Sequence, residues 1–146
     1  MKTAVCYYSR HHGNTLKVLQ AMGEMELIDV TAPGEVRLED YDRIGFASGV
    51  YYGKFHQGVV DFAREHLPEK KDVFFVCTCG SRWKGAEQAL TGIAGERSCR
   101  VLGTFGCRGY DTFGPFKLIG GIAKGHPDQK GLDAARAFYL GLEDRP

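Results

Sequence analysis

The chain has 146 residues, 43% of them hydrophobic and 25% charged, with a formal net charge of +1. It is long enough for one domain with a proper core and ordinary in composition for a soluble globular protein. It is too nearly neutral for a nucleic-acid polyanion to be its main ligand, and no run approaches the roughly 18 apolar residues of a membrane span.

The opening "KTAVCYYS" has too short an apolar stretch, and no small-residue cleavage site, to read as a signal peptide. The first strand is predicted in "TAVCYY" (3–8), followed by the polar loop "SRHHGNT" (9–15). Residues 14–23 then place Leu16 and Leu19 at i and i+3 of a helix, and "MELIDV" (25–30) is a weaker strand. A third strand, "RIGFAS" (43–48), runs into "SGVYYGKFH" (48–56), and a helix over 57–67 spaces Val59, Ala63 and Leu67 along one face. "DVFFVCTC" (72–79) is the fourth strand, with "CGSRW" at its end. Ala86, Ala89, Leu90 and Ile93 form an amphipathic stripe over 85–95, and "CRVLGTFG" (99–106) is the fifth strand. A last helix over 128–142 opens at Asp128 after Pro127 and buries Leu132, Ala135 and Tyr139.

Most of these strands are short, continuously apolar runs, as expected for a parallel sheet covered on both faces. Alternating strands and helices predict an α/β three-layer sandwich, with no repeat, low-complexity tract or linker to divide residues 1–146. The cysteines Cys6, Cys77, Cys79, Cys99 and Cys107 are odd in number and contain no C-x-x-C pair. They read as reduced, mostly buried thiols of a cytoplasmic protein.

In such a sheet a ligand sits beyond the carboxyl ends of the strands, and three of those ends carry conspicuous loops. In the first, a helix starting near Asn14 offers unpaired backbone N–H groups and the positive end of its dipole, which suits a phosphate. Ser9 and Thr15 add hydroxyls, Asn14 an amide, and His11 or His12 a ring N–H, while Gly13 permits a close backbone approach. The plainer alternative is that Asn14 or Thr15 caps the helix; Arg10 and the paired histidines favour an anion.

Several phosphate chemistries are excluded. The chain lacks both the G-K-[ST] of a P-loop and the G-x-G-x-x-G dinucleotide turn. A cysteine phosphatase loop on Cys6 requires arginine where His12 stands, and Cys6 lies mid-strand, as a structural thiol would. A phospho-acceptor receiver domain requires acidic residues where Ser9 and Ser48 stand.

The first loop, Ser9-Arg10-His11-His12-Gly13-Asn14-Thr15, resembles the S-x-T-G-N-T phosphate loop of flavodoxin-like FMN proteins, one residue longer and with histidines where threonine is usual. "FASGVYYGKFH" (46–56) is similar to their second flavin loop, especially in the protoporphyrinogen-oxidase-type branch. "GCRGYDTFGPFKLIGGIAKGHPD" (106–128) resembles the C-terminal section of short bacterial and archaeal flavodoxin-family proteins. The resemblance implies a five-stranded parallel sheet of order 2-1-3-4-5 and a non-covalent FMN.

On that basis Ser9, Arg10, His11, His12, Gly13, Asn14 and Thr15 would hold the phosphate. Ser48, Gly49, Val50, Tyr51, Tyr52, Gly53 and Lys54 would line the flavin ring, with Tyr51, Tyr52 or Trp83 supplying an aromatic face. Thr78, Cys79, Gly80 and Ser81 would close the pyrimidine end, and the ribityl chain lies within reach of the same groups. Lys54 is either a cation favouring anionic reduced flavin or a solvated surface lysine. Cys77 and Cys79 read as packing rather than a redox pair or a metal site.

Three functions stay open: an electron carrier docking to a redox partner protein, a small oxidoreductase acting on a quinone or porphyrinogen-like substrate, and a cofactor-free interaction domain on the same scaffold. The absence of an evident acid–base or nucleophile set in the flavin loops favours the carrier. The near-neutral charge pulls away from it, since general carriers of this kind are usually strongly acidic. The cations Arg10, His11, His12, Lys54, Arg82 and Lys84 at the predicted flavin edge suggest a partner or substrate with some negative character. Segment 109–127 either covers the flavin, forms a partner surface or crosses to the last helix. Oligomeric state does not follow from the sequence.

Overall fold

The structure, a computed structural model, describes residues 2–9, 14–79, 85–108 and 129–142, with the side chains of Asn14, Cys79, Cys107 and Arg108 outside that description. In chain order the elements are β1 (Thr3–Tyr7), α1 (Asn14–Met22), β2 (Glu26–Asp29), a 3-10 turn (Leu38–Asp40), β3 (Arg43–Tyr51), β4 (Lys54–Phe55), α2 (Gln57–His66), β5 (Asp72–Cys79), α3 (Gln88–Glu96), β6 (Arg100–Arg108) and α4 (Gln129–Gly141).

Five strands pair in parallel in the order β2-β1-β3-β5-β6, and the short β4 joins antiparallel to the end of β3. The order of the five parallel strands is the one the resemblance implied; β4 is an addition. The continuous apolar runs are explained by burial on both faces. On β1, β3 and β5 the residues Ala4, Cys6, Ile44, Phe46, Val73, Phe75 and Cys77 face the core under α2 and α3. Their alternates Val5, Ala47, Phe74 and Val76 face the core under α1 and α4. Period-two alternation thus divides one run of apolar residues between two cores, and helices cover both.

The helices bury slightly different faces from those expected. On α1 the buried residues are Thr15, Val18, Leu19 and Met22, a stripe at i, i+3, i+4 and i+7, with Leu16 half-buried at its side. On α2 they are Val59, Val60, Phe62 and Ala63. The third helix begins at Gln88 rather than 85, because a turn at Gly85–Glu87 closes with Gln88 N–H donating to the Gly85 carbonyl at 3.3 Å. Leu90, Ile93 and Ala94 carry its buried face, and Ala89, expected inside, is exposed. Ala135 and Tyr139 of α4 are buried as expected and Leu132 is half-buried. The opening at Pro127–Asp128 lies outside the described residues.

The end of the sheet opposite the strand-end loops is built for fastening. Asp72 and Arg100, register partners at the starts of β5 and β6, pair through two hydrogen bonds of 3.1 and 2.9 Å. Arg43, buried at the start of β3, donates to Thr3 Oγ1 at 3.1 Å and lies 4.9 Å from the Tyr139 ring centroid. The tip of the Phe74 ring closes over its register partner Gly45, where an added Cβ would come within 2.5 Å of it. Glycine is required there by proximity rather than by conformation.

Candidate functional site

Parallel register brings the carboxyl ends of β1, β3 and β5 side by side. Tyr7 pairs with Ala47, Ser48 with Cys77 and Gly49 with Thr78, and Tyr8 N–H donates to the Ala47 carbonyl at 3.0 Å. The start of α1 rises from the same edge. Its first-turn donors have no partner within the helix, and one of them, Leu16 N–H, donates to Ser9 Oγ at 3.3 Å. The helix is therefore capped from the preceding loop by Ser9.

Thr15 does not cap. It opens the buried stripe of α1, is 2% exposed, and sets its Oγ1 3.1 Å from Oγ1 of Thr78, itself 4% exposed at the end of β5. A hydroxyl turned into the core needs a polar partner, and the strand end provides one. Thr78, expected at the pyrimidine end of a flavin, thus faces the first residues of α1.

The stretch after the third predicted strand is more ordered than the loop expected. The strand continues to Tyr51 and turns back as a hairpin, with Tyr51 opposite Lys54 and Val50 opposite Phe55. The two turn residues, Tyr52 and Gly53, have φ of 52° and 79°, the positive pair that a type I′ hairpin turn demands. Tyr52 is 87% exposed at the tip, and Gly53 and Lys54 are exposed beside it. The base of the hairpin is tied by Ser48, whose Oγ accepts from His56 N–H at 3.0 Å and donates to the Gly49 carbonyl. Phe55 N–H donates to the Ala86 carbonyl at 3.3 Å, linking the hairpin to the segment before α3.

Two residues of this edge escaped the sequence reading. His56 caps α2, its Nδ1 accepting from Gly58 N–H at 3.0 Å. Its ring stacks on Tyr8 with centroids 3.6 Å apart and planes at 7°, and Tyr51 meets both edge-on. The available signal was His56 standing directly before a helical pattern, where an N-cap belongs. This stack gives Tyr51 inward partners and leaves Tyr52 as the exposed ring of the hairpin.

Cys6 is fully buried, and burial pushes its thiol up to about 12, the reverse of a reactive thiolate. Cys77 is buried as well, and Cys6 and Cys99 are free thiols. Among the described residues no group of three metal-ligating side chains converges, and no helix is long and apolar enough to cross a membrane. Arg10, His11, His12, Gly13, Gly80, Ser81, Arg82, Trp83, Lys84 and segment 109–127 lie outside the described residues, as do the side chains of Asn14 and Cys79.

This geometry has relatives. Residues 4–105 match the family model described as a flavodoxin domain. An uncharacterized protein of Methanocaldococcus jannaschii is 33% identical over 143 residues, covering 94% of this chain and 95% of its own. Among solved structures, a flavodoxin from the domain Archaea superimposes with a TM-score of 0.69 at 16% identity, over 99% of this chain and 97% of its own. The Fusobacterium nucleatum flavodoxin bound to flavin mononucleotide does so with a TM-score of 0.68 at 13% identity, over 99% and 98%.

Proposed function

This chain belongs to the flavodoxin family, and from that premise we propose that it is a flavoprotein carrying electrons between redox partners, with residues 1–146 as a single flavodoxin-like domain. Its cofactor is FMN, which supplies the one- and two-electron chemistry when bound. The observation that carries this reading is the convergence, at one edge of the sheet, of the α1 N-terminus, the Ser9 and Thr15 hydroxyls and the β3–β4 hairpin.

These residues suit the group. The amides and positive dipole end of α1 favour a phosphate dianion, with Ser9 and Thr15 at that helix start and Arg10, His11, His12, Gly13 and Asn14 proposed as its further ligands. The hairpin backbone from Ser48 to Lys54 and the end of β5 at Cys79 flank the space proposed for a flat ring, with Gly80 and Ser81 proposed to close it. Tyr8, His56 and Tyr51 hold the hairpin against β1 and α2 and so fix the wall of that space. Tyr52, exposed at the tip, is placed to cover a ring or to meet a partner. The chain's contribution is binding, orientation and electrostatics. A redox partner protein or a small-molecule acceptor takes the electrons, and the free thiols suit the reducing cytoplasm.

A second reading, a small oxidoreductase acting on a quinone or porphyrinogen-like substrate, draws support from the formal net charge of +1, which provides no strong acidic field for steering to basic partners. Purified protein is expected to show flavin absorption bands, to release one FMN per chain on denaturation, and to bind FMN well above riboflavin. A colourless protein that ignores added FMN overturns the proposal and leaves the cofactor-free interaction domain. Turnover of a quinone by NAD(P)H with the loaded protein would select the second reading.

A further inference from the structure

The contact between Thr15 and Thr78 has a consequence in proton counting. Each hydroxyl donates one hydrogen bond and accepts two. When the two oxygens share one bond, one proton is used between them and the other must point elsewhere. Both side chains are buried, at 2% and 4% exposure, and their oxygens lie 3.1 Å apart. The direction of the pair is therefore a two-way choice. Either Thr15 donates to Thr78, and its proton is spent inside the protein, or Thr78 donates to Thr15, and the Thr15 proton is released for a ligand.

An anion at the start of α1 decides between the two. A phosphate oxygen beside Thr15 accepts its proton, Thr15 Oγ1 then accepts from Thr78, and the two bonds polarise each other in the same sense. We infer that Thr78 is a positioning residue for the cofactor's phosphate: by donating to Thr15 Oγ1 it turns the Thr15 proton outward and completes a relay from the end of β5 to the phosphate. This inference rests on the FMN reading above. It moves Thr78 from the pyrimidine end of the ring to a supporting role at the opposite end of the ligand.

The test compares FMN with riboflavin, which lacks the phosphate, by quenching of flavin fluorescence on the apoprotein of the full chain. Thr78→Val keeps the shape and removes the donor, and Thr78→Ala is measured in parallel in case the added methyl disturbs folding. Expected is a loss of about two- to threefold in FMN affinity, the size of the cooperative strengthening, with riboflavin affinity unchanged, and recovery in Thr78→Ser. FMN affinity equal to or above wild type, equal weakening of both flavins, or no recovery in Thr78→Ser would each overturn the relay. Thr15→Val separates this from failure of the underlying reading. If it weakens FMN selectively while the Thr78 variants do not, the relay alone is wrong. If it leaves FMN unaffected, the phosphate site itself is misplaced.

Discussion

Cys6 shows at the scale of one residue how location dictates chemistry. Its thiol is raised by burial from 9.0 to about 12. Between those values the unfolded chain gives up the proton and the folded chain keeps it, so stability falls as pH rises from about 9 towards 12 and is unaffected by this group below about 9. Tyr7, raised by burial and then by Asp29, acts in the same direction above pH 10, as does Tyr41, raised by burial and then by Glu26, Asp40 and Cys6. Urea denaturation at pH 8 and pH 10.5 is expected to give a smaller alkaline loss in Cys6→Ala than in wild type, by up to about 1.4 kcal/mol per pH unit of the interval crossed. Equal losses in the two proteins would show that this thiol does not titrate differently on unfolding. The role of Cys6 was legible in the sequence because a cysteine in mid-strand has nowhere to go but inward. The stack of Tyr8 on His56 was not, because nothing local announces a ring contact across 48 positions of chain. Ser48 was nominated for the ligand, and its hydroxyl also has an internal task, bracing the hairpin between His56 N–H and the Gly49 carbonyl.

At the scale of the element, the hairpin is the least comfortable piece of the edge. A type I′ turn prefers Asn-Gly, and here a tyrosine with φ of 52° takes the first place. Holding a non-glycine side chain in that region costs roughly 1–2 kcal/mol, and an 87% exposed ring recovers little by burial. Tyr52→Asn is therefore expected to raise stability by about 0.5–1 kcal/mol in chemical denaturation and to lower FMN affinity. Higher stability with unchanged affinity would relieve Tyr52 of any ligand role. This stretch reads as a loop in the sequence for a physical reason: β4 has two residues, too few to carry a period, and Tyr-Gly is not a usual turn pair. Longer elements were legible within a few residues at each end, since a covered parallel strand writes itself as an unbroken apolar run. The start of α3 is displaced because Ala86 is buried in the turn before the helix and mimics a helical position.

Across the whole molecule, fastening and the proposed site occupy opposite ends of the sheet. The Asp72–Arg100 pair and buried Arg43 lie at the strand starts, while the hydroxyls, the hairpin and the α1 N-terminus gather at the strand ends. A ligand bound at the far end still stabilises the whole fold, because it binds the folded chain alone. At a hundredfold excess over its Kd, FMN is expected to add about 2.7 kcal/mol and to raise the thermal midpoint by roughly 5–10 °C. Stripping the flavin should reverse the shift, and calorimetry of apo and reloaded protein measures it. A midpoint indifferent to FMN would mean that the folded chain does not take it up.

The aromatic ring closing over Gly45 sets a rule for how this chain can change over time. One phenyl group furnishes the bulk for two neighbouring positions, so neither is free to drift by itself. Enlarging the smaller partner first drives a methyl into the ring, and trimming the larger one first opens a void beneath α4. Descendants are confined to paired exchanges at 45 and 74, or to none.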